Sequence, residues 1–407
     1  VAVNGDPHQV HVVEHDPQIM RAADRLLDLG PGAGEHGGRI VSYGTPAQVA
    51  RDPVSVTGAW LSGRKRLPPM LRAERVADGS ARYHAGAAIE LLGVSAHNLK
   101  NIDVRIPLHR LVCLTGVSGS GKSTLVEQVL YPALQQAKGK AGEAALAHRE
   151  LRGAALIDAA VLIDQQPIGR TTRSNPVSYV GAFEEIRKLF AATADARLYR
   201  YTAGTFSFNG GTGRCPVCSG NGFEHVEMQF LADVYLRCGA CGGSRYRAET
   251  LRVRLSGAGD RRADIAAVLA MTVSEALGFF APWPRVLARL QPLANVGLDY
   301  LRLGQPVPTL SGGEAQRIKL AGYLADAASA GAAGKLLLFD EPTTGLHFED
   351  VARLLRAFQL LLAAGHSLLV IEHNLDVIGA ADWIIDLGPE GGAGGGQLVA
   401  CGPPAAI

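Results

Sequence analysis

The sequence predicts an α/β fold in which a parallel sheet presents a phosphate-binding loop. An apolar run ends at the glycine-rich loop 116–123, and a helix-compatible stretch follows that loop. A second apolar run, 336–339, ends in two adjacent acids. From about Ala88, short apolar runs end in glycine-rich turns and alternate with helical stretches, as in strand–helix folds. Two Cys-x-x-Cys pairs between the loop and the acids predict an inserted metal-binding module.

Length and composition exclude several classes of protein. At about 100–200 residues per domain, the length predicts two to four domains. The 407 residues carry 40 Lys and Arg against 38 Asp and Glu, so the formal charge is only +2. A role at nucleic acid or at a membrane surface therefore needs a local basic patch. No run reaches the roughly 18 apolar residues of a membrane span, and no signal peptide opens the chain. We expect a cytoplasmic protein without a membrane part.

The loop has the spacing of a Walker A motif, because residues 116–124 read GVSGSGKST. Its glycines let backbone N–H groups turn toward phosphate oxygens, and the following helix N-terminus adds partial positive charge. We expect Lys122 to contact the β- and γ-phosphates and Ser123 to offer its hydroxyl to Mg²⁺. The other expected nucleotide contacts in the loop are Gly116, Ser118, Gly119, Gly121 and Thr124.

The second motif is a Walker B strand, since 335–342 reads KLLLFDEP. Asp340 is expected to hold Mg²⁺ directly or through water. Glu341 is expected to polarise the attacking water during phosphoryl transfer. Together with the loop, this strand predicts an enzyme that hydrolyses ATP, with Lys122 and Glu341 among its catalytic residues.

A third motif, LSGGEAQR at 310–317, resembles the signature of ATP-binding-cassette (ABC) ATPases. In that class the signature of one domain closes over nucleotide held by the opposite domain. The resemblance implies that the signature contacts nucleotide through Ser311, Gly312, Gly313 and Glu314. It also implies that Gln165 senses Mg²⁺ and the γ-phosphate, and that His373 is the switch histidine. The predicted fold class is therefore an ABC-type P-loop ATPase domain with an inserted helical signature region.

The chain contains an internal repeat. The segment that begins at Val12 returns without a gap in the segment that begins at Val370. Matching positions pair Glu14 with Glu372, His15 with His373 and Asp24 with Asp382. We infer a tandem duplication.

The repeat predicts three parts of the chain: 1–60 as the end of a first ABC domain, 61–85 as a basic linker, and 86–407 as a second ABC domain. The linker is either a solvated connector or a nucleic-acid contact. Because an ABC site takes its parts from two domains, we expect this chain alone to hydrolyse ATP poorly. Two paired copies, or an added first cassette, would complete the site.

The cysteines predict a zinc site. Cys215 and Cys218 form one pair and Cys238 and Cys241 the other, separated by 19 residues. They lie in a predicted insertion at about 180–300, in a module at about 200–255. Four thiolates fill the tetrahedral coordination of Zn²⁺ and leave no open position, which indicates a structural metal. A redox dithiol is the alternative, and the loop between the pairs is either a small core or a protruding hairpin.

Further segments resemble one family within the ABC class. They read IDQQPIGRTTRSNP at 163–176, DVYLRCGACGGSRY at 233–246 and FDEPTTGLHFED at 339–350. With the motifs above, they resemble the C-terminal half of the UvrA family, the damage-recognition subunit of the bacterial excinuclease, over nearly all of 88–407. The resemblance implies an ATPase of nucleotide excision repair without nuclease activity of its own. It also implies a homodimer that binds double-stranded DNA and passes distorted sites to UvrB through a module outside this chain.

Some residues depart from the usual family pattern, notably Pro216, Asn221 and Ala232. They leave open a UvrA-like paralogue that protects against DNA-binding antibiotics. An alternative of a different class is a cassette ATPase that acts without DNA, although the zinc insertion counts against it.

A local basic cluster is the candidate DNA contact, formed by Arg170, Arg173, Arg187 and Lys188. Phosphate contacts carry no sequence information, which suits recognition of duplex distortion. The alternative is that these side chains lie on a solvated face or in internal ion pairs.

Overall fold

The computed structural model describes residues 10–32, 37–66, 86–164, 173–226, 234–327 and 334–407. The strands of these segments are β1 Leu26–Gly30, β2 Arg39–Gly44, β3 Ala88–Val94, β4 Ile102–Pro107, β5 Leu111–Gly116, β6 Glu150–Arg152, β7 Ala159–Ile163, β8 Phe223–Val226, β9 Val234–Arg237, β10 Leu255–Ser256, β11 Arg262–Ala263, β12 Lys335–Asp340, β13 Ser367–Ile371, β14 Trp383–Gly388 and β15 Gln397–Gly402. The α-helices are Pro17–Ala22, Pro46–Arg51, Val56–Leu61, Tyr131–Ala137, Pro176–Tyr179, Ala182–Ala191, Ala194–Leu198, Ile265–Ala270, Val273–Phe279, Pro284–Asn295, Gly312–Ala327, Phe348–Ala363 and Leu375–Ala380.

A six-stranded sheet of order β15-β14-β5-β13-β12-β7 forms the centre. Its strands β14, β5, β13, β12 and β7 are parallel, and β15 is antiparallel to β14 at one edge. All five residues of β13 are buried, because helices or a second sheet cover both faces of a parallel sheet. The predicted α/β fold is confirmed.

The parallel strands bring the sequence motifs to one edge of this sheet. β5 runs into the phosphate loop, whose helix begins as the π-helical turn Thr124–Leu130 and continues as Tyr131–Ala137. β12 ends at Asp340, and β13 ends just before Glu372 and His373. Because parallel strands share their carboxyl edge, side chains far apart in the sequence meet there.

A smaller antiparallel sheet of order β4-β3-β6 covers the phosphate-loop helix. Its Ile89 and Val104 belong to the same buried cluster as Val129 of that helix and Leu338 of the central sheet. The other face of the central sheet shares a buried cluster with the segments 176–198 and 246–303. Stacked rings such as Phe183 and Phe208, 4.8 Å apart, fill this cluster.

The internal repeat is also a structural repeat. β1 and β2 correspond to β14 and β15, and the helix Pro17–Ala22 corresponds to Leu375–Ala380. Both hairpins change register at the matching point, after Asp28 in β1 and after Asp386 in β14.

The two copies differ in what covers them. Leu29 in β1 is 62% exposed, whereas its match in β14, Leu387, is 1% exposed. β14 pairs with β15 on one side and with β5 on the other, whereas within the described segments β1 and β2 form a sheet of only two strands. Of the predicted linker 61–85, residues 67–85 lie outside the described segments. Among the described helices, none has the length and apolarity needed to cross a membrane.

Candidate nucleotide and zinc sites

The phosphate loop is held open by glycine. A Cβ at Gly116, where φ is +140°, would lie 2.0 Å from the carbonyl oxygen of Leu387, so this position accepts no side chain. Lys122 Nζ donates to the carbonyl oxygens of Gly116, at 2.8 Å, and of Val117, at 3.0 Å. Burial lowers the pKa of this lysine, while Glu341 and Asp340 oppose the shift. The ammonium thus lies inside the loop, where Walker A motifs receive phosphate.

One residue that sequence reasoning missed fixes the loop. Asn98 Nδ2 donates to the carbonyl oxygens of Gly119, at 2.9 Å, and of Gly392, at 3.2 Å. The side chain therefore ties the phosphate loop to the turn after β14. Since Asn98 precedes the loop by a whole strand pair, no local motif in the sequence signals this role.

The Walker B acid Asp340 lies half-buried at the end of β12. Burial raises its pKa, and the neighbouring Glu341 raises it further, while Lys122 opposes both. Glu127 of the phosphate-loop helix hydrogen bonds to Asp340, and burial raises the pKa of Glu127 too. These crowded carboxylates are the oxygen donors that Mg²⁺ prefers. Ser123 and Asp340 would hold Mg²⁺ here.

Glu341 and His373 meet as predicted catalytic partners. Glu341 Oε1 lies 3.3 Å from His373 Nε2, and both side chains are about half exposed. Glu341 has φ +42°, an unusual value for a residue other than glycine, and its N–H donates to the carbonyl oxygen of Ile371. Such strained backbone clusters at functional sites. The carboxylate thereby faces solvent beside the phosphate loop.

The signature forms the N-terminus of the helix Gly312–Ala327. Glu314 N–H donates to Ser311 Oγ at 3.3 Å, and Ser311 N–H donates to Glu314 Oε2 at 2.8 Å. This reciprocal pair is a capping box. Tyr300 Oη donates to the other oxygen of Glu314 at 2.7 Å, which fixes the carboxylate. The exposed Ser311 and Gly312 leave a helix N-terminus, with its partial positive charge, open to an anion.

The four cysteines converge. The sulfur atoms of Cys215, Cys218, Cys238 and Cys241 all lie within 4.8 Å of one another. Cys218 Sγ lies 3.7 Å from Cys241 Sγ and accepts the N–H of Gly222 at 3.2 Å. Burial raises the pKa of the Cys218 thiol to about 12, whereas backbone N–H groups lower the pKa of Cys238. Four soft donors at this spacing fit tetrahedral Zn²⁺, which these residues would hold as a structural ion. The segment between the pairs forms the hairpin β8–β9 at its described ends.

Arg173, a candidate DNA contact, reaches the first cysteine turn. Its Nε donates to Asn221 Oδ1 at 2.8 Å, and its Nη2 donates to the carbonyl oxygen of Ser219 at 3.1 Å. Arg173 therefore links the segment after β7 to the zinc module. Two other predicted site residues, Gln165 and Arg170, lie outside the described segments.

The remaining two candidates make contacts within their own helix region. Arg187 Nη1 donates to the carbonyl oxygen of Ala203 at 3.3 Å. Lys188 pairs with Glu184 at 3.1 Å and with Glu185 at 2.7 Å. Exposed pairs of this kind contribute little to stability, so Lys188 stays available to a stronger anionic partner.

The first copy of the repeat and the helix Val56–Leu61 contact the loop that follows the Walker B strand. His347 Nδ1 accepts the N–H of Glu349, so Nε2 carries the proton and donates to Thr57 Oγ1 at 3.2 Å. Thr57 in turn donates to Asp28 Oδ1 at 2.7 Å. The rings of His15 and His347 lie 6.4 Å apart. His15, which matches His373 in the repeat, thus lies next to the loop that follows Glu341.

Comparisons with known proteins agree with this geometry. A family model described as "ABC transporter" matches residues 99–344. UvrABC system protein A of Thermus thermophilus is 52% identical over 393 residues, and that of Bacillus subtilis is 50% identical over 396. Each alignment covers 97% of this chain and 40% of the relative, so the chain spans about 40% of the length of these relatives.

A solved structure extends the agreement from sequence to fold. The crystal structure of UvrA2 from Deinococcus radiodurans superposes with a TM-score of 0.85 at 46% identity. The match covers 97% of this chain and 46% of that chain. The predicted resemblance to UvrA is therefore confirmed. Because the family model spans more than half of its residues, the chain belongs to the ATP-binding-cassette family.

Proposed function

We propose that this chain binds and hydrolyses Mg-ATP and couples it to recognition of distorted double-stranded DNA in nucleotide excision repair. The observation that carries the proposal is the pair Glu341 and His373, 3.3 Å apart beside the buried Lys122. It occurs in a chain about half identical to UvrABC system protein A. The names of these relatives support the repair assignment.

The residues of the site divide the work of phosphoryl transfer. Lys122 and the loop N–H groups neutralise phosphate oxygens, and Ser123 and Asp340 hold Mg²⁺, which supplies further charge neutralisation. Glu341 orients water and accepts its proton as the water attacks. His373, within hydrogen-bonding reach of Glu341, orients that carboxylate toward the γ-phosphate.

The catalytic site is proposed to be composite. The signature lies at a helix N-terminus whose first residues are exposed, and it would contact nucleotide held by another cassette rather than by its own phosphate loop. The residues that would make this contact are Ser311, Gly312, Gly313 and Glu314. That cassette is either in a second copy of the chain, which gives a homodimer, or a first cassette continuous with segment 10–66. The contact of Thr57 with His347 supports the second arrangement, because it shows that segment 10–66 packs against this cassette.

DNA and UvrB are the proposed partners, in the cytoplasm. Phosphate contacts through Arg170, Arg173, Arg187 and Lys188 stay a prediction. The ion pairs of Lys188 are exposed and weak, which supports the idea that this lysine exchanges its carboxylate partners for a DNA phosphate. The proposal that UvrB receives the lesion rests on the family of the relatives.

A gel shift tests the function. Undamaged, lesion-bearing and drug-bound duplexes are compared with and without ATP, using the chain, its Lys122→Ala variant and the control Lys140→Ala on an exposed lysine. We expect ATP to favour the lesion-bearing duplex in the chain and the control, and not in Lys122→Ala. Preference for the drug-bound duplex would indicate antibiotic protection, and binding to none of the three would support an ATPase that acts without DNA.

A further inference from the structure

Glu372, which directly precedes the switch histidine, uses both carboxylate oxygens to hold two separate loops. Oε1 accepts the N–H of Thr343 at 2.9 Å. Oε2 accepts the N–H groups of His373 at 2.9 Å and of Asn374 at 3.0 Å. The residue is 2% exposed, so these three donors replace the water that its charge would otherwise bind.

We propose that Glu372 is a positioning residue that holds the loop after Glu341 and the switch histidine as one unit. The proposal deepens the proposed function and rests on it. Thr343 is two residues from Glu341, and His373 is the next residue after Glu372. One carboxylate therefore fixes the backbone on both sides of the 3.3 Å contact between Glu341 and His373.

The loop that Glu372 anchors ends at the interface with the helix that contains Thr57. Residues 343–347 form this loop, and its last residue, His347, donates to Thr57. One buried side chain thus connects the backbone at His373 to the loop that reaches this interface.

The internal repeat supplies an independent observation. Glu14 occupies the matching position in the first copy, and its Oε1 accepts the N–H of Asp16 at 3.2 Å. This repeats the contact between Glu372 and Asn374, two residues further along. The acceptor role is therefore present in both copies, although their surroundings differ greatly in burial.

The chemistry requires a carboxylate. A glutamine of the same size offers one acceptor oxygen, and its amide group carries hydrogens. In Glu372→Gln, a donor would face a donor either at Thr343 or at the pair His373 and Asn374. Exactly one of the two loops should be released.

Residue-resolved hydrogen exchange of the nucleotide-free chain tests this. In Glu372→Gln we expect faster exchange of the Thr343 amide, or of both His373 and Asn374, with β12 and β13 unchanged. The matched control is Glu90→Gln, an exposed carboxylate on β3 that pairs with Arg105. Unchanged exchange at all three amides would overturn the proposal, and so would uniform acceleration that includes the strands.

Kinetics separate positioning from a merely structural role. Since Lys122 and the phosphate loop are untouched, we expect kcat for ATP to fall by roughly tenfold, with KM within about twofold. A loss of ATP affinity and of thermal stability with kcat unchanged would contradict the positioning role of Glu372. If the unaltered chain hydrolyses no ATP even with a first cassette supplied, the proposed function fails, while the exchange experiment still decides the role of Glu372.

Discussion

Gln316 of the signature helix donates its side-chain amide to the carbonyl oxygen of Asp340, 3.1 Å away. The same nitrogen donates to the carbonyl oxygen of Ile163 at 3.0 Å. These carbonyls end two neighbouring strands, β12 and β7. The buried amide thereby fixes the helix that begins with the signature to the edge where the Walker B acid lies.

Replacing Gln316 by Leu should destabilise the chain by about 1–3 kcal/mol, because two buried carbonyl oxygens lose their donor. Urea unfolding followed by circular dichroism measures this. The control Gln291→Leu alters an amide on an exposed helix face that contacts Asn295, and it should change stability by less than about 0.5 kcal/mol. Equal losses in the two variants would show that Gln316 holds nothing specific.

The ionisation of Asp340 opposes folding in the absence of a cation. Its pKa is raised by burial and by Glu341, so the folded chain binds this proton more tightly than the unfolded chain does. A raised pKa means that the group stabilises the fold below its unfolded pKa of 3.8 and that this stability is lost as pH rises through the folded value. Asp340→Asn should therefore raise the melting temperature at pH 7 by a few degrees.

The measurement is thermal denaturation without added Mg²⁺ from pH 3.5 to 7. The gain of Asp340→Asn over the unaltered chain should shrink as pH falls, and its ATP hydrolysis, assayed separately with Mg²⁺, should be lost. Asp326→Asn, at an exposed acid paired with Arg289, serves as control and should show no such pH trend. A melting temperature that falls at pH 7 would mean that Lys122 outweighs the cost of burial.

Zinc should depend on each of the four thiols. Cys238→Ser removes one buried donor, so we expect the metal content to fall well below the about one ion per chain predicted for the unaltered protein. Atomic absorption after gel filtration gives the ratio. Cys401→Ser, on an exposed cysteine of β15, should leave it unchanged. Full zinc retention in Cys238→Ser would show that Cys238 is not a required ligand, and an unaltered protein without zinc would favour the redox alternative.

The sequence predicted the parts of the site whose chemistry is local. The Walker A loop, the Asp340 and Glu341 pair and the cysteine pairs each need particular residue types at short, fixed spacings, so the sequence pattern identifies them. The sequence did not predict the roles of Asn98 and Gln316, because each side chain contacts backbone atoms far away in the chain. An amide that bridges two strand ends has no sequence pattern of its own.

The positive charge of a residue predicted less about the contacts of its side chain. Arg173 was a candidate for phosphate contact, yet its guanidinium donates to Asn221 and Ser219 of the zinc module. A basic residue in a sequence indicates a cation and not the direction of its side chain. Its role at DNA stays a prediction.

The repeat separates what sequence similarity predicts from what packing decides. Leu29 and Leu387 occupy matching positions in matching hairpins, but one is 62% and the other 1% exposed. We expect Leu387→Ala to cost about 2–5 kcal/mol, because it leaves a cavity between β14 and its neighbours. Leu29→Ala should cost less than about 0.5 kcal/mol. Urea unfolding of the two variants makes the comparison, and equal losses would mean that β1 is covered in solution by a partner strand, as β5 covers β14.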